Sequence, residues 1–383
     1  MIIIIPLHQP LEYPCDYIDQ TVKFLTKDNS VILFDYFYPY SWKDMSKLSN
    51  IKTLFQSFTN ISGSKKIIYF RAPALLPFSR LDIIINLNKK LGFWILSVFL
   101  WIFNKKIIVW QFYPLLTKKI YKSHIYLYDC VDYWVSLKNQ TKKFIFEEKK
   151  LFNISNLVIF NSKELYNKVL RTNPLLKKKS FISVCGCNNS LFNLKVKKIP
   201  KELVNITQKK IIFMAVFDNR INVKLLNYVV TNNKNLIFVF IGPIREDVTK
   251  EFAQIIREKN VFYLGEKSKY ELPPYLKNCN LGIIPYNTKS GFVKYSNPMK
   301  AYEYLALGLP VVSTKILALM GYPENIICTT DNEKDFSNAI KRLMNNWNDS
   351  KITIAKNIAE KNSWENKITQ IEKLLTKYIP VSK

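Results

Sequence analysis

The six cysteines of this 383-residue chain form no C-x-x-C pair, and Cys185 with Cys187 lacks the further ligands a zinc site needs. The thiols are therefore read as reduced, as in the cytosol. No G-x-G-x-x-G or Walker A sequence occurs, which argues against a dinucleotide site or a P-loop. No apolar run reaches the roughly 20 residues of a membrane-spanning helix. Met1 to Ile5 is apolar, but it has no basic n-region, long h-region or small-residue cleavage site, so a first buried strand fits it better than a signal peptide. Arginine is scarce as well, at seven of the 57 basic residues.

What the chain does have is lysine. The net charge of +28 invites a polyanion, either nucleic acid or an anionic membrane surface, although an excess of Lys, Asn and Ile is also what A/T-rich coding would leave. The distribution says more than the total. Residues 1–200 carry 30 basic and 12 acidic side chains, a net +18, against 27 and 17, a net +10, for residues 201–383. The N-terminal half is the one expected to face an anionic partner. With 48% hydrophobic residues the chain is globular, and its length suits two domains with separate cores. The charged, proline-ended stretch Lys195 to Pro200 predicts the boundary, giving units 1–197, 198–362 and a terminal helix within 363–383.

Ile2 to Pro6, Val31 to Asp35, Lys66 to Phe70, Ile107 to Trp110, His124 to Cys130 and Leu157 to Asn161 are continuous apolar runs of strand length. That pattern suits parallel strands covered on both faces. Leu91 to Phe103 is nearly all apolar and flanked by Lys89-Lys90 and Lys105-Lys106. It reads either as a buried core helix or as a monotopic contact whose lysines meet anionic lipid. In YDCVDYW, Asp129 and Asp132 follow a strand, where open α/β sheets bind ligands. Acceptor binding or proton transfer is one role for them, and helix capping with solvation is the other. Ser162 reads as the N-cap of the next helix, and Gly186-Cys187-Asn188 as a turn.

The second half alternates strand and helix: Ile211 to Val216, Val223 to Thr231, Leu236 to Ile241, Glu246 to Glu258, Val261 to Leu264, Tyr270 to Lys277 and Leu281 to Pro285. This is the pattern of a parallel Rossmann-like sheet with right-handed crossovers. The chain is organised around the next stretch, Asn297 to Thr314. Asn297 has the side chain of an N-cap, Pro298 suits the first helical position, and Gly308 stops the helix before the strand Val311 to Thr314. The start of such a helix offers free N–H groups and a positive dipole end, and Lys300 lies in its first turn, so an anion can be held there. Met299, Glu303 and Ala306 share a face. Glu303 is then either placed to accept two hydroxyls from a ligand whose phosphates lie at the cap, or a solvated Glu on an ordinary α/β helix.

The string P-x-K-x-x-E-Y-L-A-x-G-x-P-V-V resembles the donor-site helix of family 4 glycosyltransferases of the GT-B fold, in particular the bacterial surface-polysaccharide enzymes of the teichuronic-acid type. The resemblance implies two Rossmann-like, doubly wound parallel-sheet domains facing a cleft, with a last helix, here from Ser363 to about Lys377, crossing back. It implies that Glu303 binds the nucleotide ribose, that the amides around Asn297, Pro298 and Met299 bind the diphosphate, and that Arg220 and Lys224 face the phosphates. YDCVD is similar to a segment lining the interdomain cleft, which favours Asp132 ahead of Asp129. The family usually has a further Glu eight positions earlier, in an E-x7-E pattern and in contact with the donor sugar, and that position here is Tyr295.

The reading is a transferase moving a sugar from a nucleotide sugar to a polysaccharide or polyprenyl-linked glycan acceptor. No metal is required, because the donor half has no D-x-D pair and a helix start with basic side chains can do the electrostatic work. The expected location is the cytoplasm, with peripheral contact to anionic lipid at the inner membrane face. Tyr295 favours an alternative in the same fold, a catalytically silent partner subunit. The charge raises a third reading, a nucleic-acid-binding protein, but no RNP-like segment, zinc spacing or Arg-rich stripe supports specific recognition.

Overall fold

The computed structural model describes residues 2–7, 16–25, 29–35, 58–60, 67–71, 82–102, 107–114, 119, 124–137, 141–192 and 199–377. The N-terminal lobe begins with β1 (Ile2–Pro6), α1 (Asp16–Leu25), β2 (Ser30–Asp35), β3 (Phe58–Asn60) and β4 (Ile67–Arg71). It continues through α2 (Asp82–Ile102), β5 (Ile107–Gln111), β6 (Ile125–Cys130), α3 (Lys142–Ile154), β7 (Leu157–Phe160), α4 (Lys163–Leu170) and β8 (Ser180–Ile182). Its sheet runs β3-β4-β2-β1-β5-β6-β7-β8, parallel except for the antiparallel edge strand β3. Residues such as Ile3, Ile4, Val31, Ile108 and Val109 are fully buried. Both faces of these strands are covered, which is why they read as unbroken apolar runs.

The C-terminal lobe contains α5 (Asn189–Phe192), β9 (Lys210–Met214), α6 (Val223–Thr231), β10 (Ile237–Ile241), α7 (Thr249–Ile256), β11 (Val261–Tyr263), α8 (Leu272–Lys277) and β12 (Leu281–Ile284). It closes with α9 (Gly291–Lys294), α10 (Met299–Ala306), β13 (Val311–Ser313), β14 (Ile327–Thr329), α11 (Glu333–Asn345) and α12 (Asp349–Lys361). The parallel strand order β11-β10-β9-β12-β13-β14 reverses direction between β9 and β12. In such sheets ligands bind at that reversal, beyond the carboxyl ends of the strands. The final helix, α13 (Trp364–Leu375), returns to the first lobe, where Trp364, Ile368, Ile371 and Leu375 join its core.

The chain changes lobes earlier than Lys195 to Pro200. Cys187, Leu191 and Phe192 already belong to the C-terminal core, and residues 193–198 lie outside the described residues. At the crossing, Cys187 N–H donates to Asn362 O (3.1 Å) and Trp364 N–H donates to Cys187 O (3.1 Å). The outgoing and returning strands touch so closely that a Cβ on Gly186 would lie 1.2 Å from the Asn362 carbonyl oxygen, so only glycine fits there. Ser162 caps α4 as expected, accepting from Leu165 N–H at 3.0 Å.

α2 buries only part of its apolar interval. Phe93 and Leu96 are fully buried in the core beside Phe34 and Phe70, while Trp94 is 52% exposed and Ile83 74%. Ile83, Leu87, Lys90 and Trp94 fall on one helical face by their spacing, and all four are exposed. Lys105 and Lys106 lie outside the described residues. Among the described residues, no helix is long and apolar enough to cross a membrane.

Candidate active site

The reversal between β9 and β12 sends out two loops, one carrying Arg220 and the other Tyr286. They are joined by backbone bonding, with Asn222 N–H donating to Pro285 O (2.8 Å), Asn287 N–H donating to Arg220 O (2.7 Å), and a bridge pairing Ile221 with Tyr286. Beside them α10 begins. Its N-terminal flanking position is Pro298, and no side chain caps it. Asn297 does not play that part. Its amide donates to Asn161 O of the other lobe (2.9 Å), and its Oδ1 accepts from Tyr302 Oη (2.9 Å). The sequence expectation of an Asn297 cap is thus corrected: its amide is spent on the other lobe and its Oδ1 on the Tyr302 hydroxyl, so the first-turn N–H groups of α10 get no side-chain cap. Pro298, Met299 and Lys300 are half-buried, and first-turn amides without a cap seek an external acceptor.

Lys300 points towards the reversal. Its ammonium donates to Tyr286 Oη and lies over the rings of Tyr286 (4.7 Å) and Phe213 (5.4 Å). Arg220 is held by Asp218, with Nε 2.9 Å from both carboxylate oxygens. Burial works against the charge on Arg220, but Asp218, Tyr286 and, across the cleft, Asp132 outweigh it and hold the guanidinium above its ordinary value. Tyr286 therefore stands between the two cations. Sequence reasoning missed it, although its place two residues beyond the end of β12 was a usable signal. Lys224 is not part of this group: its side chain is 86% exposed and pairs with Glu333 at 3.2 Å. It belongs to the first turn of α6, whose N-cap is Asn222, and from there it reaches the outer surface near α11.

Glu303 sits one turn along α10. Its side chain is 8% exposed, and Oε1 is 3.1 Å from Lys269 Nζ. The helix is fixed against β9 by Met214 N–H, which donates to Tyr304 Oη (3.1 Å). The neighbouring ring leaves room only for glycine on β12, because a Cβ at Gly282 would approach Tyr304 Cδ2 to 2.2 Å. Gly308, at φ +78, ends the helix in the left-handed region.

From the N-terminal lobe, Asp132 interacts electrostatically with Arg220. Burial pushes its carboxyl up to about 6, and Arg220 opposes that rise. Among the described residues its carboxylate has no hydrogen-bond partner. Asp129 is different: it is fully buried and paired with Lys367 of α13 (Nζ to Oδ2 3.0 Å, to Oδ1 3.1 Å), and Lys367 also donates to Ser183 O (3.0 Å). The expectation that Asp129 serves the chemistry is corrected, because a carboxylate sealed from solvent and joined to an ammonium fastens the returning helix. The two residues part because alternate residues of a strand end face opposite ways, and only the turn beyond β6 frees Asp132.

Tyr295 ends α9 and meets Tyr133 of the other lobe edge-on, at 5.4 Å between centroids. Lys168 lies 5.7 Å from the Tyr295 ring and 5.9 Å from Tyr133. One residue group earlier, Phe292 packs beside Trp134 (6.0 Å), and a Cβ on Gly291 would lie 3.0 Å from Ser136 Cβ. The segment around Tyr295 is thus an aromatic clasp between the lobes.

The chain is similar to known proteins in part of its sequence and in its fold. Residues 208–346 match the family described as "Glycosyl transferases group 1". Over 276 residues the chain is 22% identical to TuaH of Bacillus subtilis, whose name assigns it to teichuronic acid biosynthesis as a glycosyltransferase; the match covers 68% of this chain and 69% of that one. The fold is similar to sucrose-phosphate synthase from Thermosynechococcus elongatus (TM-score 0.73, 15% identity, 100% of this chain and 99% of that one). It is also similar to the Anabaena protein HepE in complex with UDP-glucose (TM-score 0.66, 12% identity, 98% and 100%). The fold is GT-B, and the resemblance read from Asn297 to Thr314 is borne out.

Proposed function

We propose that this chain is a glycosyltransferase that moves a sugar from a nucleotide-sugar donor to a polysaccharide or lipid-linked glycan acceptor in the synthesis of cell-surface polysaccharide. One observation carries the reading: Asp132 of one lobe and Arg220 of the other interact electrostatically, and the loops at the sheet reversal that carry Arg220 and Tyr286, the latter bonded to Lys300, lie beside the uncapped start of α10. The diphosphate lies at the amides of Met299 and Lys300. Arg220 and Lys300, linked through Tyr286, offset the charge that develops on it as it departs. Glu303 accepts the ribose hydroxyls. Asp132, with its carboxyl near neutrality, takes the proton of the acceptor hydroxyl. These fixed cations replace a metal ion in the electrostatic work. Binding of UDP-glucose by HepE supports a nucleotide-sugar donor. The test is a thermal-shift screen with UDP-, GDP-, CMP- and dTDP-sugars, followed by transfer and hydrolysis assays with any sugar that binds. A melting temperature unmoved by the whole panel counts against the proposal.

The acceptor side is proposed to work at the cytoplasmic face of the membrane. Ile83, Leu87 and Trp94 form an apolar stripe with Lys90 among them, in the half of the chain with the larger positive excess. That chemistry fits a surface of anionic lipid. Flotation with phosphatidylcholine vesicles, with and without phosphatidylglycerol, checks it: binding should need the anionic lipid and fall on Trp94→Ser. Tyr295 supports a second reading, a silent partner subunit, which predicts a stable complex with an active transferase and no turnover alone.

A further inference from the structure

We propose that Lys269 is a positioning residue for the donor nucleotide: it holds the carboxylate of Glu303 in the orientation that receives the ribose hydroxyls. The inference rests on the donor-site reading above and adds to it a residue on a different loop, 34 positions away in sequence. The ion pair is short, 3.1 Å from Nζ to Oε1, and its side chains are only 19% and 8% exposed. A carboxylate so withdrawn from water needs a counter-charge and defined hydrogen bonds to stay ionised. A cationic donor on Oε1 restrains the orientation of the carboxylate.

The loop that delivers Lys269 is itself pinned. Ser268 and Glu271 form a reciprocal capping box around the tight turn Lys269–Glu271, with Glu271 Oε2 accepting from Ser268 N–H (2.9 Å) and Oγ (2.7 Å). The preceding Lys267 approaches Glu202 at 3.6 Å. Further back, Gly265 O accepts from Gly242 N–H (2.8 Å) and Leu264 N–H donates to Phe240 O (2.9 Å). Lys269 thus projects from a turn fixed to the central strands, while Glu303 projects from a helix fixed to the same sheet through Tyr304. A flexible surface lysine has none of these restraints. Two rigid elements bring opposite charges together where a pentose has to be gripped, and the geometry assigns the lysine to the grip.

The test uses the full chain, with UDP, GDP, CDP and dTDP as probes in isothermal titration. Each nucleotide that binds is compared with its 2′,3′-dideoxy form, which lacks the hydroxyls. Lys269→Met should weaken the ribonucleotide about tenfold or more, as expected for loss of an orienting bond to a charged group. It should leave the weaker dideoxy form within about twofold. Lys269→Arg, which keeps the charge and the donor, should stay within about threefold of the parent. Lys269→Met added to Glu303→Gln should cost nothing further, since the lysine acts through the carboxylate. Equal losses for the two sugar forms would mean that the lysine only braces the loop, and would overturn the proposal. So would an unchanged affinity in Lys269→Met. If the parent chain binds none of the four nucleotides, the donor-site reading falls and takes this inference with it. If the parent binds and Lys269→Met binds equally well, the inference alone falls.

Discussion

Replacing Lys367 with Met strips the counter-charge from Asp129 while keeping an unbranched side chain only one atom shorter. Both partners have no exposed side-chain surface, and the ammonium lies 3.0–3.1 Å from the two carboxylate oxygens and 3.0 Å from the Ser183 carbonyl. Breaking such a buried pair from one side costs about 3–5 kcal/mol, because the remaining charge is stranded. Burial already pushes the Asp129 carboxyl upwards and Lys367 restrains it, so the variant's carboxyl holds its proton to higher pH still. The penalty is therefore largest in alkaline buffer and fades as the pH falls and Asp129 becomes neutral. Urea unfolding followed by circular dichroism at pH 8.5 and pH 5.5 measures both values. The paired change Asp129→Asn with Lys367→Met removes both charges and should recover most of the loss, giving a coupling of about 2 kcal/mol or more in the double-mutant cycle. Transfer per folded molecule should survive in that double variant. A cost below about 1 kcal/mol for Lys367→Met would refute the role of the pair in holding α13. So would loss of turnover in Asp129→Asn with stability intact.

Further outcomes follow from other buried or exposed charges. Burial pushes Glu148 up to about 7 from 4.5, although Tyr128 donates to it at 2.7 Å. The folded state thus takes up a proton between those values, and stability falls with rising pH by about 3 kcal/mol in total. Glu148→Gln keeps the acceptor and should flatten that slope, raising the melting point at pH 8 and hardly changing it at pH 4.5. Arg220→Met removes the charge that restrains Asp132, so the acid limb of kcat/KM should move upward from about 6; a limb that stays put would separate Asp132 from the proton transfer. Lys224→Ala, at an exposed pair with Glu333, should change donor affinity less than twofold and stability within about 0.5 kcal/mol.

Local chemistry made much of this architecture readable in advance. Continuous apolar runs marked the parallel strands, because both faces of each sheet are covered. The Gly308 stop and Val311 to Ser313 marked the end of α10 and the next strand. Three features escaped. The edge strand β3 is three residues long, too short for any period to show. Asn297 has the composition of a cap, yet its side chain answers a tertiary demand from Asn161 that no local pattern encodes. Asp129 and Asp132 are chemically alike in sequence, and what separates them is Lys367, more than 200 positions away. The same holds for Lys269 and Tyr286: neither carries a motif, and each matters through a loop beyond a strand end, Tyr286 at the sheet reversal and Lys269 after the edge strand β11. Lys224 failed in the opposite sense. Its spacing from Arg220 looked right, but the first turn of α6 points it outward.

The most direct measurement is the titration of the parent chain and of Glu303→Ala with the nucleoside diphosphate selected by the donor screen. The account predicts that the parent binds and that Glu303→Ala loses the greater part of its affinity while melting as a folded protein. Equal affinity in the two would contradict the placement of the ribose on α10, and with it the reading of the cleft as a donor site.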